Sequence, residues 1–338
     1  MKKFLLVLLS LILAFGTFSL SACNEDSGEN VNGTVSIKYF QQAQEMLPML
    51  KAGSLKFGAL PEPAATQLTK IASDKTWYRM DLQELYDSNT LSYPQAVMLI
   101  KQSLLNEQPT LVSKIASAFT ENVEWVKSNV SDAVNAVNSK IEKGVTPSLN
   151  AGNISLEVVD NCKIYWQSAD SAKESVNKYL NEIISIESKS ALKVEDDFFY
   201  DGNAQGSFLG QAVKVFAPDG APALAIAKFI YDNENFGTGK DFSYQVVSSS
   251  NIGAKVSAGE GDIVIIPVNA ASKLYKANSS DTYKMAGVVT HGNLYLMSSV
   301  PFITLADKTV GVIGQGLVPD LTFRCILKAN KLGTKIAQ

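Results

Sequence analysis

The chain has 338 residues, 46% of them hydrophobic, and its 30 Lys and Arg against 33 Asp and Glu give a net charge of −3. A mildly acidic surface argues against nucleic acid as a partner and against charge-driven binding to anionic lipid. A single histidine excludes a multi-histidine metal site and leaves a Ser-His-Asp hydrolase one candidate base, and three cysteines exclude a disulfide-rich scaffold.

Lys2 and Lys3 precede a nearly all-apolar run from Phe4 to Phe18, too short for a comfortable membrane span. Leu20-Ser21-Ala22-Cys23 follows and resembles the bacterial lipobox. The expectation is a lipoprotein signal peptide over 1–22, with lipidation of Cys23; the alternative is an ordinary signal peptide with an incidental cysteine. Residues 23–34 are polar and glycine-containing, as a flexible tether should be.

The remaining length suits about two domains. Val35–Phe40 reads as a strand, "QQAQEMLPMLKAG" as a helix closed by Gly53, and "SLKFGALPEP" as a strand ending in a Pro-rich turn. "AATQLTKIAS" starts another helix, "YRMDLQELYDSN" ends in a turn, and "YPQAVMLIK" is an apolar strand entered through Pro94. Residues 107–200 carry apolar side chains at three- and four-residue spacing, which predicts several helices cut at Pro109, Gly144–Pro147 and Asn150–Gly152.

"DGNAQGSFLGQ", residues 201–211, has the composition of a linker. Beyond it, strands over 213–216, 243–248, 262–266, 283–289, 293–298 and 308–314 alternate with helices over 221–231, 251–258, 269–276 and from Pro319. Such alternation implies an α/β fold with largely parallel sheets covered on both faces.

"VFAPDGAPALAIAKF", "GDIVIIPVNAASKLYK", "YKMAGVVTHGNLYLMSS" and "KTVGVIGQGLVPDLTFRCILK" together resemble pieces of an ABC-transporter substrate-binding protein. The type is the one serving nitrate, taurine and thiamine-precursor importers. "LKAGSLKFGALPEPAATQL" and "LSYPQAVMLIKQSLL" resemble its later segments, yet here they come first. The resemblance therefore implies a circular permutant of a type II periplasmic-binding fold, two doubly wound lobes around a cleft, with 201–211 joining the old termini. Joining Gln338 to Asn30 would restore the family's helix–strand–helix order. Lobe A would be 92–303 and lobe B 31–91 plus 304–338, with crossovers near Leu91–Pro94 and Ser299–Leu305. The alternative is a divergent fold with shuffled similarity.

Doubly wound sheets bind small molecules at the carboxyl ends of their strands. That rule selects Asp219, Gly220 and Ala221 after one strand, Asn269 and Ala270 after the next, and His291, Asn293 and Tyr295 after a third. In lobe B it selects Gln315 and Gly316, whose loop lacks the Lys and Ser/Thr of a nucleotide-binding P-loop, together with Glu62 and, at the hinge, Tyr93. Asp219 and Asn269 serve equally as helix caps, His291 as a structural residue, and Glu62 as a salt-bridge partner. Two carboxylates with no basic residue among these motifs fit a neutral or cationic nitrogenous ligand, and Tyr93, Tyr275 and Tyr295 suit a planar heterocycle.

The expected function is a lipid-anchored, extracytoplasmic receptor, monomeric and without cofactor, that delivers a small organic molecule to an ABC permease. A pyrimidine-synthase-like enzyme on the same fold and a lipoprotein binding a protein partner are the alternatives. Cys162 and Cys325 are expected to be buried free thiols, since a disulfide between the lobes would lock the hinge.

Overall fold

The computed structural model describes residues 32–86, 92–150, 152, 154–248, 251–274, 282–302 and 304–337. Cys23 with the rest of the N-terminal segment, and Tyr275, lie outside them. Two six-stranded sheets form the framework. The first contains β1 (Thr34–Phe40), β2 (Phe57–Pro61) and β3 (Tyr78–Asp81). The second takes β4 (Pro94–Lys101), β5 (Ile164–Ser168), β6 (Ala212–Pro218), β7 (Asp241–Val247), β8 (Ile263–Pro267) and β9 (Tyr283–His291). The chain then returns to the first sheet with β10 (Leu294–Ser298), β11 (Thr309–Ile313) and β12 (Gly333–Ile336).

The first sheet has the order β12-β1-β11-β2-β10-β3. Its β12, β1, β11 and β2 are mutually parallel, whereas β10 runs antiparallel to both β2 and β3. Tyr39 on β1 pairs with Val312 on β11, so the two ends of the chain build one sheet. The second sheet has the order β5-β9-β4-β8-β6-β7, with β8, β6 and β7 parallel and β4 entering antiparallel between β9 and β8. It is thus inserted, as one continuous stretch, between the two halves of the first.

Side-chain pattern explains the layers. Val35 and Ile37 alternate inward on β1, while the centre of β8, Ile263 to Ile266, is buried on both faces. The helix Ala43–Ala52 lies close on the first sheet because Gly58 and Gly311 sit beneath it. A Cβ on Gly58 would stand 2.9 Å from Met46 Sδ, and one on Gly311 3.0 Å from the same sulfur. The helix Val318–Ala329 carries Pro319 in its first turn, as the missing N–H there costs nothing. Its Val318 and Leu321 join a core cluster with Tyr179, Leu180 and Ile183 of the helix Ala169–Ile186. The two lobes therefore share apolar packing along this helix pair.

Three elements differ from the sequence reading. β5 interrupts the segment expected to be helical: Ile164-Tyr165-Trp166 is β-branched and aromatic, and it pairs with β9. β3 and β12 are four-residue strands, the first half-buried apart from an exposed Tyr78 and the second largely exposed, so no apolar alternation announces them. The second crossover also moves. β9 ends at His291 in the second sheet and β10 begins at Leu294 in the first, so the chain changes sheet at Gly292–Asn293 and not near Ser299–Leu305. Only two residues link the strands.

β12 also bears on the chain ends. It lies parallel to β1, with Thr334 beside Val35, and the Ala337 N–H donates to Ile37 O at 2.8 Å. It adds a strand between the helix Val318–Ala329 and β1 that the simple joined order did not contain.

Residues 201–211 carry no helix or strand and are mostly exposed, touching the second sheet's lobe where Ala204 and Phe208 pack on its core, Asn106 Nδ2 donates to Gly206 O at 2.9 Å and Lys240 Nζ to Gly210 O at 3.1 Å. Limited proteolysis is expected to nick between Asn203 and Gly210 first. The two fragments should stay associated, with the circular dichroism of the intact chain.

Candidate functional site

Strand direction puts one edge of each sheet at the crossovers. In the second sheet this edge holds the C-terminal ends of β6, β8 and β9 and the start of β4; in the first it holds the ends of β1, β11 and β2 and the start of β10. Glu62, Gln315, Gly316, Tyr295 and Asn293 lie on one side, and Asp219, Gly220, Ala221, Asn269, Ala270, His291 and Tyr93 on the other. The edges meet through Gly292–Asn293.

Glu62 follows β2 and precedes the helix Ala64–Ile71. Its backbone N–H donates to Asn293 O at 3.1 Å. The carboxylate, 0% exposed, accepts from Thr66 N at 3.1 Å and Thr66 Oγ1 at 2.8 Å, and from Arg79 Nη2 at 2.7 Å. A fourth donor, Asn161 Nδ2 at 3.3 Å, comes from the other lobe. The expectation of a carboxylate offered to a cationic ligand is corrected accordingly: Arg79 already neutralises Glu62. The same guanidinium lies 3.7 Å over the Tyr295 ring, so one stacking face of Tyr295 is also taken. The Tyr295 hydroxyl donates across the seam to Asn161 O at 3.4 Å.

Asp219 is different. Its Oδ2 accepts from Ser148 N at 2.6 Å, and its own N–H donates to Val247 O at 3.0 Å. Among the described residues Oδ1 is buried without a hydrogen-bond partner. Burial raises the carboxyl above its usual range, against the pull of the Ser148 and Gly220 amides. Asp219 does not cap the next helix, which opens at Gly220 without a side-chain cap. Gly220 adopts φ +104°, a backbone that L side chains rarely enter, so glycine is needed for this turn. Ala221 is buried behind it, and the Ala223 N–H is spent on Gly220 O at 3.1 Å.

Asn269 is buried and donates to Ser190 O at 3.1 Å, while Ala270 packs half-buried against the core shared by the lobes. Gln315 is exposed. The Gly316 N–H is bound from within by Asp320 Oδ2 at 2.8 Å, so the glycine loop carries its own carboxylate. Asp320, 0% exposed, also accepts from the Tyr39 hydroxyl at 3.0 Å and faces Arg324 Nε at 3.3 Å. Tyr93 cannot stack on a ligand. It is 2% exposed and enclosed by Tyr86 and Tyr179, each 5.3 Å away between ring centres.

His291 is 2% exposed, stacked on Tyr165 with ring centres 3.5 Å apart and planes within 5°. Its Nε2 faces Gln167 Oε1 at 3.2 Å. Burial lowers its basicity from 6.5 to about 3, so the ring is neutral at physiological pH. Asn293, 2% exposed, has a buried Oδ1 without a protein partner. The seam is further closed by Lys70 Nζ to Gly152 O at 3.0 Å, Tyr179 to Thr322, and Arg324 to Glu187 at 3.7 Å. Two cavities of about 380 Å³ lie elsewhere, one against Lys114, Glu121 and Phe236, the other against Lys101, Phe208 and Asp262, and neither borders Asp219 or Glu62. Cys162 and Cys325 are both buried free thiols, in different lobes, and burial pushes the Cys325 thiol up to about 12.

Sequence reasoning missed Arg79, Asn161, Ser148 and Asp320. One signal was available for Arg79. The chain's 30 basic residues include only two arginines, and each stands on a fully buried carboxylate.

No family model matches the chain, and no curated protein matches it. Among solved structures it is similar to the periplasmic-binding protein AgaA from A. tumefaciens R10 in complex with agropinic acid: 10% identity, 88% of this chain, 60% of that one, TM-score 0.31. The oligopeptide-binding protein AppA from Bacillus subtilis, in complex with a nonapeptide, matches at 9% identity over 76% of this chain and 54% of its own, TM-score 0.28. NikA from Brucella suis, in complex with Fe(III)-EDTA, matches at 12% identity over 83% and 59%, TM-score 0.27. The chain thus spans between half and two thirds of the length of each. At these scores the likeness decides nothing by itself, and the two-lobed α/β architecture stands on the strand pairing above.

Removing Arg79 leaves Glu62 charged and buried without its cation. Arg79→Met is expected to lower the unfolding free energy by about 3 kcal/mol in denaturant titration. His291 supplies a pH test. A base whose folded pKa is depressed contributes stability that is complete above its unfolded value, and that is lost as pH falls through the folded one. Between pH 6.5 and about 3 it should remove about 1.4 kcal/mol per pH unit. The stability difference between wild type and His291→Gln across that window reads it directly.

Proposed function

We propose that the chain is an extracytoplasmic solute receptor, a binding protein and not an enzyme, that holds a small nitrogenous organic molecule in the seam between its lobes and passes it to an ABC permease. The observation that carries this reading is the seam itself. Two sheets joined by two crossovers bring their strand ends together, and there a buried carboxylate oxygen, Asp219 Oδ1, has no hydrogen-bond donor among the described residues. A buried acceptor in that state costs about 1–3 kcal/mol, which a ligand N–H or ammonium would recover. Glu62, with its four donors, serves as the strut of the closed seam and not as a ligand group. The ligand would enter by rotation of the lobes about the apolar helix pair, breaking the hydrogen bonds at Asn161 and Gly152.

The order of sequence segments supports a circular permutant of the type II periplasmic-binding fold, with the exposed run 201–211 bridging the former termini. A lipid anchor on Cys23 and a monomeric state complete the proposal. The enzyme and protein-binding alternatives have no observation in their favour.

Native mass spectrometry of protein purified without dialysis is expected to show a retained small molecule. Readdition to stripped protein at a hundredfold over Kd should stabilise it by about 2.7 kcal/mol and reduce its radius of gyration. Asp219→Asn should weaken that binding at least tenfold. Absence of any retained solute, together with no compaction by nitrogenous compounds, refutes the reading.

A further inference from the structure

We infer that the ligand of the seam is a small organic cation, with an ammonium or amidinium group, and that Asp219 is its counter-ion. This rests on the receptor reading and names the charge class of the molecule taken at that same site.

The protein pairs its buried acids with cations of its own. Glu62 holds Arg79 at 2.7 Å, Asp262 holds Lys101 at 2.9 Å, and Asp320 faces Arg324 at 3.3 Å. Taking a carboxylate out of water is costly unless an opposite charge goes with it, which is the physical reason for the pairing.

Two carboxylate oxygens are buried without a hydrogen-bond partner among the described residues, Glu142 Oε2 and Asp219 Oδ1. Glu142 still follows the rule, because its Oε1 holds Lys255 Nζ at 3.2 Å. Asp219 does not. Its Oδ2 accepts the uncharged Ser148 N–H at 2.6 Å. Burial raises its affinity for a proton, Ser148 and Gly220 lower it, and no charged group among the described residues contributes.

The charge has no structural task to explain it. Asp219 does not cap the helix that follows, and an amide oxygen would accept the Ser148 N–H as a carboxylate does. The next residue leaves room for a guest. Gly220 is required by its φ of +104° and not by crowding, since a Cβ there would meet nothing nearer than Ser148 Oγ at 3.7 Å. The turn follows the C-terminal end of β6, the kind of place where doubly wound sheets receive small molecules.

A neutral N–H donor would satisfy Oδ1 but leave the carboxylate uncompensated. An ammonium or amidinium does both at once, through a charge-assisted hydrogen bond about twice as strong as a neutral one. The ligand thereby completes the pattern that Arg79, Lys101, Arg324 and Lys255 set elsewhere.

Two measurements test this. Solute extracted from protein purified without dialysis should migrate as a cation in capillary electrophoresis at neutral pH. The second measurement is the thermal unfolding of the full chain after its solute has been stripped. Asp262→Asn and Asp320→Asn each leave a buried cation without its partner, and each should lower Tm by about 5 °C or more. Asp219→Asn leaves none, and its Tm should equal or exceed that of the wild type. A neutral or anionic solute overturns the inference while the receptor reading stands, and so does an Asp219→Asn variant whose Tm falls. No retained solute at all overturns the inference too.

Discussion

A carboxylate with no exposure to solvent, held by one guanidinium, is the constraint on which the seam depends. Glu62 ends the central part of the first sheet, Arg79 reaches it from β3, and Asn161 reaches it from the other lobe. Such a pair adds little net stability over an apolar replacement, but losing one member is costly because the other stays buried and charged. It therefore acts as a geometric lock. It fixes where β3 lies relative to β2, orients the cation over Tyr295, and shares Glu62 Oε1 between Arg79, Thr66 Oγ1 and Asn161 of the opposite lobe. Asp320 and Arg324 repeat the device beneath the glycine loop.

This arrangement divides the polar groups of the seam into two populations. Glu62, Asp320 and Asn269 are satisfied by the protein and hold the structure. Asp219 Oδ1, Thr290 Oγ1 and Asn293 Oδ1 are buried and, among the described residues, have no hydrogen-bond partner. The first population explains how the lobes close without anything between them. The second describes what a guest would have to offer.

Much of the fold was legible because burial writes itself into periodicity. Strand–helix alternation after residue 211 follows from apolar runs and turn residues, whereas the joining of the two chain ends in one sheet was implied by the family resemblance and its permuted segment order. What was illegible lacked that signature. β3 and β12 are only four residues long and bury no alternating apolar face, and β5 hides between helical segments. The site fared less evenly. Strand ends and glycines pointed to the sheet edges that meet at Gly292–Asn293, but residue type alone could not say which carboxylate was spent. Glu62 looked available because its partner lies 17 residues away in an unremarkable stretch. The bulge at Gln95 was invisible because a bulge is a property of two strands and not of one.

The short C-terminal strand β12 shapes the molecule's outer rim. Thr334, Lys335 and Ile336 are exposed, so the strand is attached by its main chain and contributes almost no core. Without it, β1 would present a bare row of amides and carbonyls, the template onto which a stray extended segment adds. Four residues with a lysine among them shield that row and are too short to propagate it. The tail is a selvedge, and it keeps the sheet from being extended by its neighbours.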